Sequence, residues 1–577
     1  MGSSEEAPPA VSPQLARWAT PLLLIVGAQV WLLAGNGDFG STRQRVLLLA
    51  AFIISCIPPL ASRLNEALDR LRHLTIRQRA CMTMVLAVLS AGYFYQSAIV
   101  QNRSFTFKFN DESSYAIGTQ MAARFHLWMP QHPAGDFFEA MQLIVHPVYS
   151  SMYFPGTAIL YAPIIWLHLP WWLLPLLAAS ACAGLTYRIT SELLDSVAGL
   201  TCVLLLWGSS IFRFVSIAFL AQIPALLLAL LAIDAWLRWR TNRRLCWAIA
   251  VGFFSGWCAI TRPLDAVALL LPPAIAMLMD AKRNWRPLGS VAAGALPFLV
   301  IQIIFNIGVT GSWHRTPFEF SQAQDYPQVS LGFHPFDPTV KPATSLPQKL
   351  DYYEQVTVPA LRAHQFRGAL SWLPDLMQVA LPQPLLLLII PAGLLAWGRR
   401  RWIVTISAIL WVLLYSLYVF HFRHYIATIV PMLAVGVACG IEQLRNTWPG
   451  ARNTITVFLT LAVIVLSMTH MPQFNPLIRD EWFSDNELQQ IDHKLAEINQ
   501  PALVLFRYDD SRSGQIEPVY NSDVAWPDDA KIVRANDRAE QNEQIISYYL
   551  QRQPARAVYR YDRKDGSLTR LSPTTTP

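Results

Sequence analysis

Two carboxylates stand side by side at Asp111–Glu112, inside the stretch FKFNDESSYAIGTQMAARFHLWMP at 107–130. They follow closely on an apolar run at 82–100 and open a polar loop that continues to Tyr153. Charge beside hydrocarbon is costly, so adjacent carboxylates at a membrane surface point to a use for them. An ionised carboxylate can take the proton of a hydroxyl or amine as that group attacks, and a second carboxylate beside it raises its pKa by repulsion. The plainer alternative is structural: acids at the start of a helix, here DESSYAIGTQMAARF, complement its dipole. His126, His132 and His146 lie in the same loop, but no tight His/Asp/Glu cluster with metal-ligand spacing accompanies them. Farther along, Arg262 and Asp265 flank a proline in or beside hydrocarbon, where opposite charges pair to stay satisfied.

The elements that must position these residues follow from composition. A chain of 577 residues that is 53% hydrophobic and 14% charged, with mean hydropathy +0.31, is too apolar for an ordinary soluble protein. Its apolar runs are long enough for a helix to cross about 30 Å of hydrocarbon. The reading is a polytopic α-helical membrane protein of about 13–14 transmembrane helices with a small C-terminal extracytoplasmic α/β domain. Spans are expected near 16–34, 45–62, 82–100, 155–172, 173–190, 196–212, 216–237, 245–261, 264–280, 287–309, 376–397, 402–420, 424–444 and 452–470.

Basic loops set the orientation. Arg63, Arg70, Arg72, Arg77 and Arg79 mark one cytoplasmic loop. Arg238–Arg244, Lys282–Arg286 and Arg399–Arg401 mark three more. The Asp111 loop, residues 310–375 and the tail then face outward. Four spans between 155 and 237 would put the Arg238–Arg244 loop on the wrong side, so one of them, within 155–212, is expected to be a half-span or to merge with its neighbour. The net charge of +7 fits cytoplasmic lysine and arginine at anionic head groups, without nucleic acid. The seven cysteines fall in or beside apolar spans and show neither a disulfide framework nor a CxxC spacing. The first apolar run lacks a small-residue cleavage site and is long enough to stay in the membrane.

The chain is expected to divide into a disordered leader (1–15), N-terminal transmembrane helices (16–101) and a first extracytoplasmic loop with the acidic pair (102–154). A transmembrane core (155–309), a second large extracytoplasmic loop (310–375) and C-terminal transmembrane helices (376–470) follow. The extracytoplasmic α/β domain occupies 471–577. In it, 486–499 carries a helical apolar stripe, 502–507 and 531–535 read as strands, 540–552 as a helix and 557–561 as a last strand. Alternation suggests a short parallel sheet packed as a cap on the outward loops, with no glycine-rich phosphate loop. In the second loop, 348–372 is amphipathic and interrupted by Pro359, a pattern that suits a helix lying in the interface.

Several stretches keep a common order and side: the acidic pair, YFPGTAIL at 153–160, GFFSGWCAITRPLDAVALLLP at 252–272, FNIGVTGSWHRTPFEF at 305–320 and FHFRHYIATIVPMLAVG at 420–436. Over roughly residues 83–470 this arrangement resembles the GT-C superfamily of membrane glycosyltransferases, especially the protein O-mannosyltransferase-like and aminoarabinose-transferase-like branch. The resemblance implies transfer of one sugar from a polyprenyl-phosphate donor at the outer face, to an acceptor that is a protein, a lipid or a glycan. Asp111 then matches the acidic residue of the family's first loop and is the candidate base, with Glu112 as alternate. Arg423, His424 and Tyr425 are candidates to clamp the leaving phosphate, with His314 and Arg315 behind them. Tyr115, His132, His146 and Arg262 are further candidates to line the site. A divalent cation helps some members of the family and stays open as a cofactor. Short connecting loops favour a bacterial inner membrane.

The rival reading is a transporter or lipid-linked-sugar flippase, for which Arg213, Asp234, Arg262 and Asp265 would be the intramembrane charges. Neither an internal repeat nor paired broken helices accompanies them. A noncatalytic scaffold would leave Asp111–Glu112 unexplained.

Overall fold

A computed structural model describes residues 19–29, 41–281, 285–393, 402–478, 487–509 and 517–571. The leader at 1–15, Lys282, Arg283, Arg399–Arg401 and the ends of the spans at 16–34 and 376–397 lie outside these residues. Among the described residues, seven helices are long and apolar enough to cross a membrane: Ile76–Val100, Leu173–Leu193, Gln222–Asn242, Pro263–Asp280, Arg286–Thr310, Arg423–Thr447 and Pro449–Thr469. Five shorter apolar helices accompany them, among them Ser196–Gly208 and Leu245–Ala259. A helix satisfies its backbone polar groups internally, which hydrocarbon demands. The protein is an integral membrane protein, predominantly helical, with a small C-terminal sheet.

Three expected spans take another form, one of them 376–397, whose described part breaks into the helix Leu373–Ala380, a 3-10 turn at Pro384–Leu388 and the short helix Ile390–Gly393. The stretch 155–172 folds as two short helices, Pro155–Tyr161 and Pro163–Trp166, followed by His168 in the left-handed region (φ 51°). Within 155–212, Ser196–Gly208 is likewise a short apolar helix. The stretch 45–62 is not one rod: Thr42–Cys56 and Pro58–Arg72 meet at 95°. Pro58 and Pro59 lack N–H groups, so the first helix cannot run on through them and a new one starts there.

The second loop also differs from expectation. Helical backbone runs through Pro359 rather than breaking there, with a wide π turn at Tyr353–Thr357 just before it. A π turn relaxes the hydrogen-bond ladder where proline cannot donate. The first turn of this helix is held by protein contacts. Lys349, buried, pairs with Asp325 (2.9 Å) and Glu139 (3.2 Å), and Gln348 donates to Asn536 of the tail (2.9 Å).

Among the described residues, seven strands form two sheets. In the first loop β1 (Met129–Pro130), β2 (Leu143–Ile144) and β3 (Val148–Ser151) pair antiparallel in the order β1-β3-β2. In the tail β4 (Ala502–Arg507), β5 (Ile532–Asn536), β6 (Ala557–Asp562) and β7 (Ser567–Leu571) pair in the order β5-β4-β6-β7. The two pairings of β4, with β5 and with β6, are parallel as expected; β7 adds an antiparallel edge on β6 that the sequence pattern does not predict. β4 is buried on both faces, which is why ALVLFR reads as a continuous apolar run. Its Val504 and Phe506 pack on Ile491 and Leu495 of the helix Glu487–Ala496. Its Leu503 and Leu505 face the other way and share one core with Ile117, Met121, Phe137 and Phe138 of the first loop.

Candidate active site

The acidic pair lies in the first turn of the helix Asn110–Ala123, where successive side chains cannot face the same way. Glu112 turns inward. It is buried, and its carboxylate accepts the backbone N–H groups of Lys108 (2.8 Å), Phe109 (3.3 Å) and Phe219 (2.8 Å). That spends its oxygens on capping its own helix and tying it to the 216–221 turn. Asp111 turns outward onto a cavity of about 1010 Å³. Burial raises its pKa above 3.8, against the opposing pull of a hydrogen bond from Tyr153 and the positive charge of Arg262. Burial, rather than repulsion from Glu112, is the principal cause.

Arg262 lines the same cavity, on the short turn between Leu245–Ala259 and Pro263–Asp280. Its Nε pairs with Asp265 and its Nη2 donates to the Tyr415 hydroxyl at 2.9 Å. Asp265 is wholly buried and also accepts from Trp411 Nε1 (2.9 Å), Tyr415 Oη (3.0 Å) and Thr428 Oγ1 (2.7 Å). A buried carboxylate with this many donors is a satisfied anchor. It fixes the guanidinium, whose Cζ lies 5.1 Å over the Tyr425 ring.

The turn is held from the other side by Gly156 of the YFPGTAIL stretch. Its N–H donates to the Ile260 carbonyl (2.7 Å) and its own carbonyl accepts from Trp257 Nε1 (2.9 Å). A Cβ on Gly156 would collide with Thr261 Oγ1 and come within 2.6 Å of the Ile260 oxygen. Only glycine allows that approach. Ser114 completes the frame, donating to the Gln142 carbonyl (2.6 Å) and sharing a bond with Ser151 (2.8 Å).

Aromatic rings wall the cavity. Tyr115 stacks on Tyr153 at 4.2 Å, and Tyr425, Tyr418, Phe420 and Phe422 follow one another on the opposite side at 5.6–6.4 Å. The second loop contributes the helix Pro317–Asp325, whose Gln322 donates to Tyr418 Oη (3.1 Å).

Of the residues expected to act together, Asp111, Tyr115, Arg262, His314, Arg315, His424 and Tyr425 line this one cavity. His314 and Arg315 are exposed at its edge. Four others do not line it. Glu112 is spent on backbone. Arg423 starts the 3-10 turn Arg423–Ile429 and is directed elsewhere than its two neighbours. His132 is buried against the tail: its Nδ1 accepts the Ala134 N–H (2.9 Å), so its Nε2–H donates to Asp528 (2.9 Å). His146 pairs with Asp136 at 2.5 Å on the surface. Of the charges that suggested transport, Asp234 is held by Arg188 (2.5 Å) and Arg238 (2.8 Å). Among the described residues no group of three or more His, Cys, Asp or Glu is placed to hold a metal ion.

Tyr153, Tyr415, Tyr418 and Gln142 were not singled out from sequence. Tyr153 opens the YFPGTAIL stretch, but nothing local shows that its hydroxyl returns to Asp111.

No protein-family model matches the sequence, and no curated protein matches it. Among solved structures the chain is similar to ArnT from Cupriavidus metallidurans in the apo state, with TM-score 0.46 and 12% identity over 84% of this chain and 93% of that one. It is likewise similar to ArnT from the same organism bound to undecaprenyl phosphate, with TM-score 0.42 and 12% identity over 83% of this chain and 89% of that one.

Proposed function

We propose that this chain is an integral-membrane glycosyltransferase that moves a sugar from a polyprenyl-phosphate donor to an acceptor hydroxyl or amine. The observation that carries the reading is the pairing, within one large cavity, of a carboxylate with raised pKa and a guanidinium fixed by a buried anchor. Asp111 takes the acceptor proton as the acceptor attacks the anomeric carbon. The bond from that carbon to the phosphate oxygen breaks, and the electron pair leaves with the polyprenyl phosphate. Arg262 takes up the charge that develops there, through a fork that suits phosphate oxygens, and His424 and Tyr425 stand beside it. Holding Arg262 in place beforehand avoids reorganisation during the step.

The basic loops support an outward-facing cavity and tail under the positive-inside rule, and the bacterial inner membrane is the proposed location. The acceptor is left as any group that offers a nucleophilic hydroxyl or amine.

The test is single-turnover transfer from radiolabelled polyprenyl-phosphate sugars by purified wild type and Asp111→Asn. Wild type is expected to consume one donor, and the variant to bind it with turnover lower by about 10²–10⁴-fold. Equal turnover by both would remove Asp111 from the role. Binding of lipid phosphate with no transfer by either would favour the flippase reading.

A further inference from the structure

The cavity holds buried polar atoms that nothing in the protein satisfies. Both ring nitrogens of His424 lack a hydrogen-bond partner, and so does the side-chain oxygen of Gln142. His424 is 9% exposed, stacked beside Phe422 (5.7 Å) and edge-on to Tyr425 (4.7 Å). Gln142 stands in the left-handed region at φ 54°, which a glutamine rarely adopts. Such strain persists where the surroundings impose it, and it gathers at ligand sites. Leaving buried polar groups unpaired is costly, so these atoms point to what occupies the cavity.

The required ligand must both donate and accept. A neutral imidazole presents one donor and one acceptor, and the Gln142 oxygen needs a donor. A simple anion would meet the donors and leave the Gln142 oxygen empty. Charge narrows the choice further. Asp111 and Glu319 are the carboxylates that line the cavity, and Arg262 and Arg315 the guanidiniums. Glu319 is spent on capping its helix, accepting from Thr316 N (2.9 Å) and Oγ1 (3.0 Å). An ammonium on the ligand would therefore compete for Asp111, and a carboxylate for Arg262. Hydroxyl groups on a ring with apolar faces avoid both conflicts and lie well against tyrosine.

We propose that the ring held here is an uncharged sugar, recognised by Gln142 and His424 against the Tyr418–Tyr425 wall. This rests on the glycosyl-transfer reading above and names the class of sugar.

The test uses the full chain in nanodiscs and short-chain prenyl-phosphate glycosides carrying a neutral hexose, an amino sugar or a uronic acid. The neutral analogue is expected to bind at least about tenfold tighter than the other two, the worth of one or two buried hydrogen bonds. Gln142→Leu is expected to erase that margin while prenyl phosphate alone binds both proteins equally. Where Gln142→Leu does not fold, Gln142→Asn carries the test: it suits a positive φ but retracts the amide, and the margin must still shrink. Preference for a charged sugar, or a margin that survives both variants, would overturn the inference. Transfer from a charged sugar alone would leave the transferase reading standing without this inference. Neutral preference with no transfer from any donor would do the reverse.

Discussion

Asp111 has to be ionised to accept a proton, and burial makes that harder than for an ordinary aspartate. Two consequences follow from one shift. The transfer rate is expected to rise with pH through an acid limb centred above 3.8, measured as single-turnover rate against pH. Stability carries the opposite sign. A carboxyl whose folded pKa is raised favours the folded state most below its unfolded pKa, and that contribution is lost as pH rises through the folded value. Asp111→Asn is therefore expected to match or exceed the wild-type Tm at neutral pH while losing activity; a clearly lower Tm would contradict this account. The acidic pair was legible as a pair, but not as one working carboxylate and one helix cap. That division needs the backbone of Phe219, more than a hundred residues away, which accounts for the Glu112 carboxylate. Arg262 and Asp265 were legible as partners from their spacing. The five-membered polar network behind them was not, since Trp411, Tyr415 and Thr428 come from other helices.

Among the elements, the turn that carries Arg262 is the most constrained. The short helices at 155–166 bring Gly156 against it. Gly156→Ala would push a methyl group into the Ile260 carbonyl and the Thr261 hydroxyl. The expected cost is about 1–3 kcal/mol, the range for forced overpacking, read as a lower Tm. Donor binding should weaken with it, because the displaced backbone carries Arg262. Unchanged binding at a lowered Tm would separate Gly156 from the site. Apolar length alone revealed the seven long spans among the described residues, because a helix in lipid needs only that. It failed at Pro58–Pro59 and at 155–172, where proline and a left-handed residue break runs that hydropathy averages together.

For the whole molecule, the tail is less a separate domain than the far half of the first loop's core. Its secondary structure was legible strand by strand up to β7, and so was its place as a cap on the outward loops; which residues of the first loop it meets was not, since one apolar face looks the same whatever it packs on. Asp528 is the polar joint of this contact. Burial alone would raise its pKa, but hydrogen bonds from His132, Tyr549 and Tyr548 hold it down to about 2. Its stabilising contribution is present above 3.8 and is lost as pH falls towards 2. His132→Ala is expected to cost about 1.5–3 kcal/mol, as for a hydrogen bond to a charged group. Hydrogen exchange should then speed up in β1–β3 and in β4–β6 together; faster exchange on one side only would show the two halves to be independent.

This shared core has a consequence in time. Asn110, beside the proposed base, accepts the backbone N–H of Glu517, 407 residues later in the chain. Gln120 and His132 wait in the same way for Asp523 and Asp528. At about 5–20 residues per second, a ribosome needs on the order of 20–80 s to span that interval. Through that time the first loop is without the partners that complete its core. A nascent chain halted partway would thus carry Asp111 in an unfinished frame, and competence for transfer would arrive only when the tail is made.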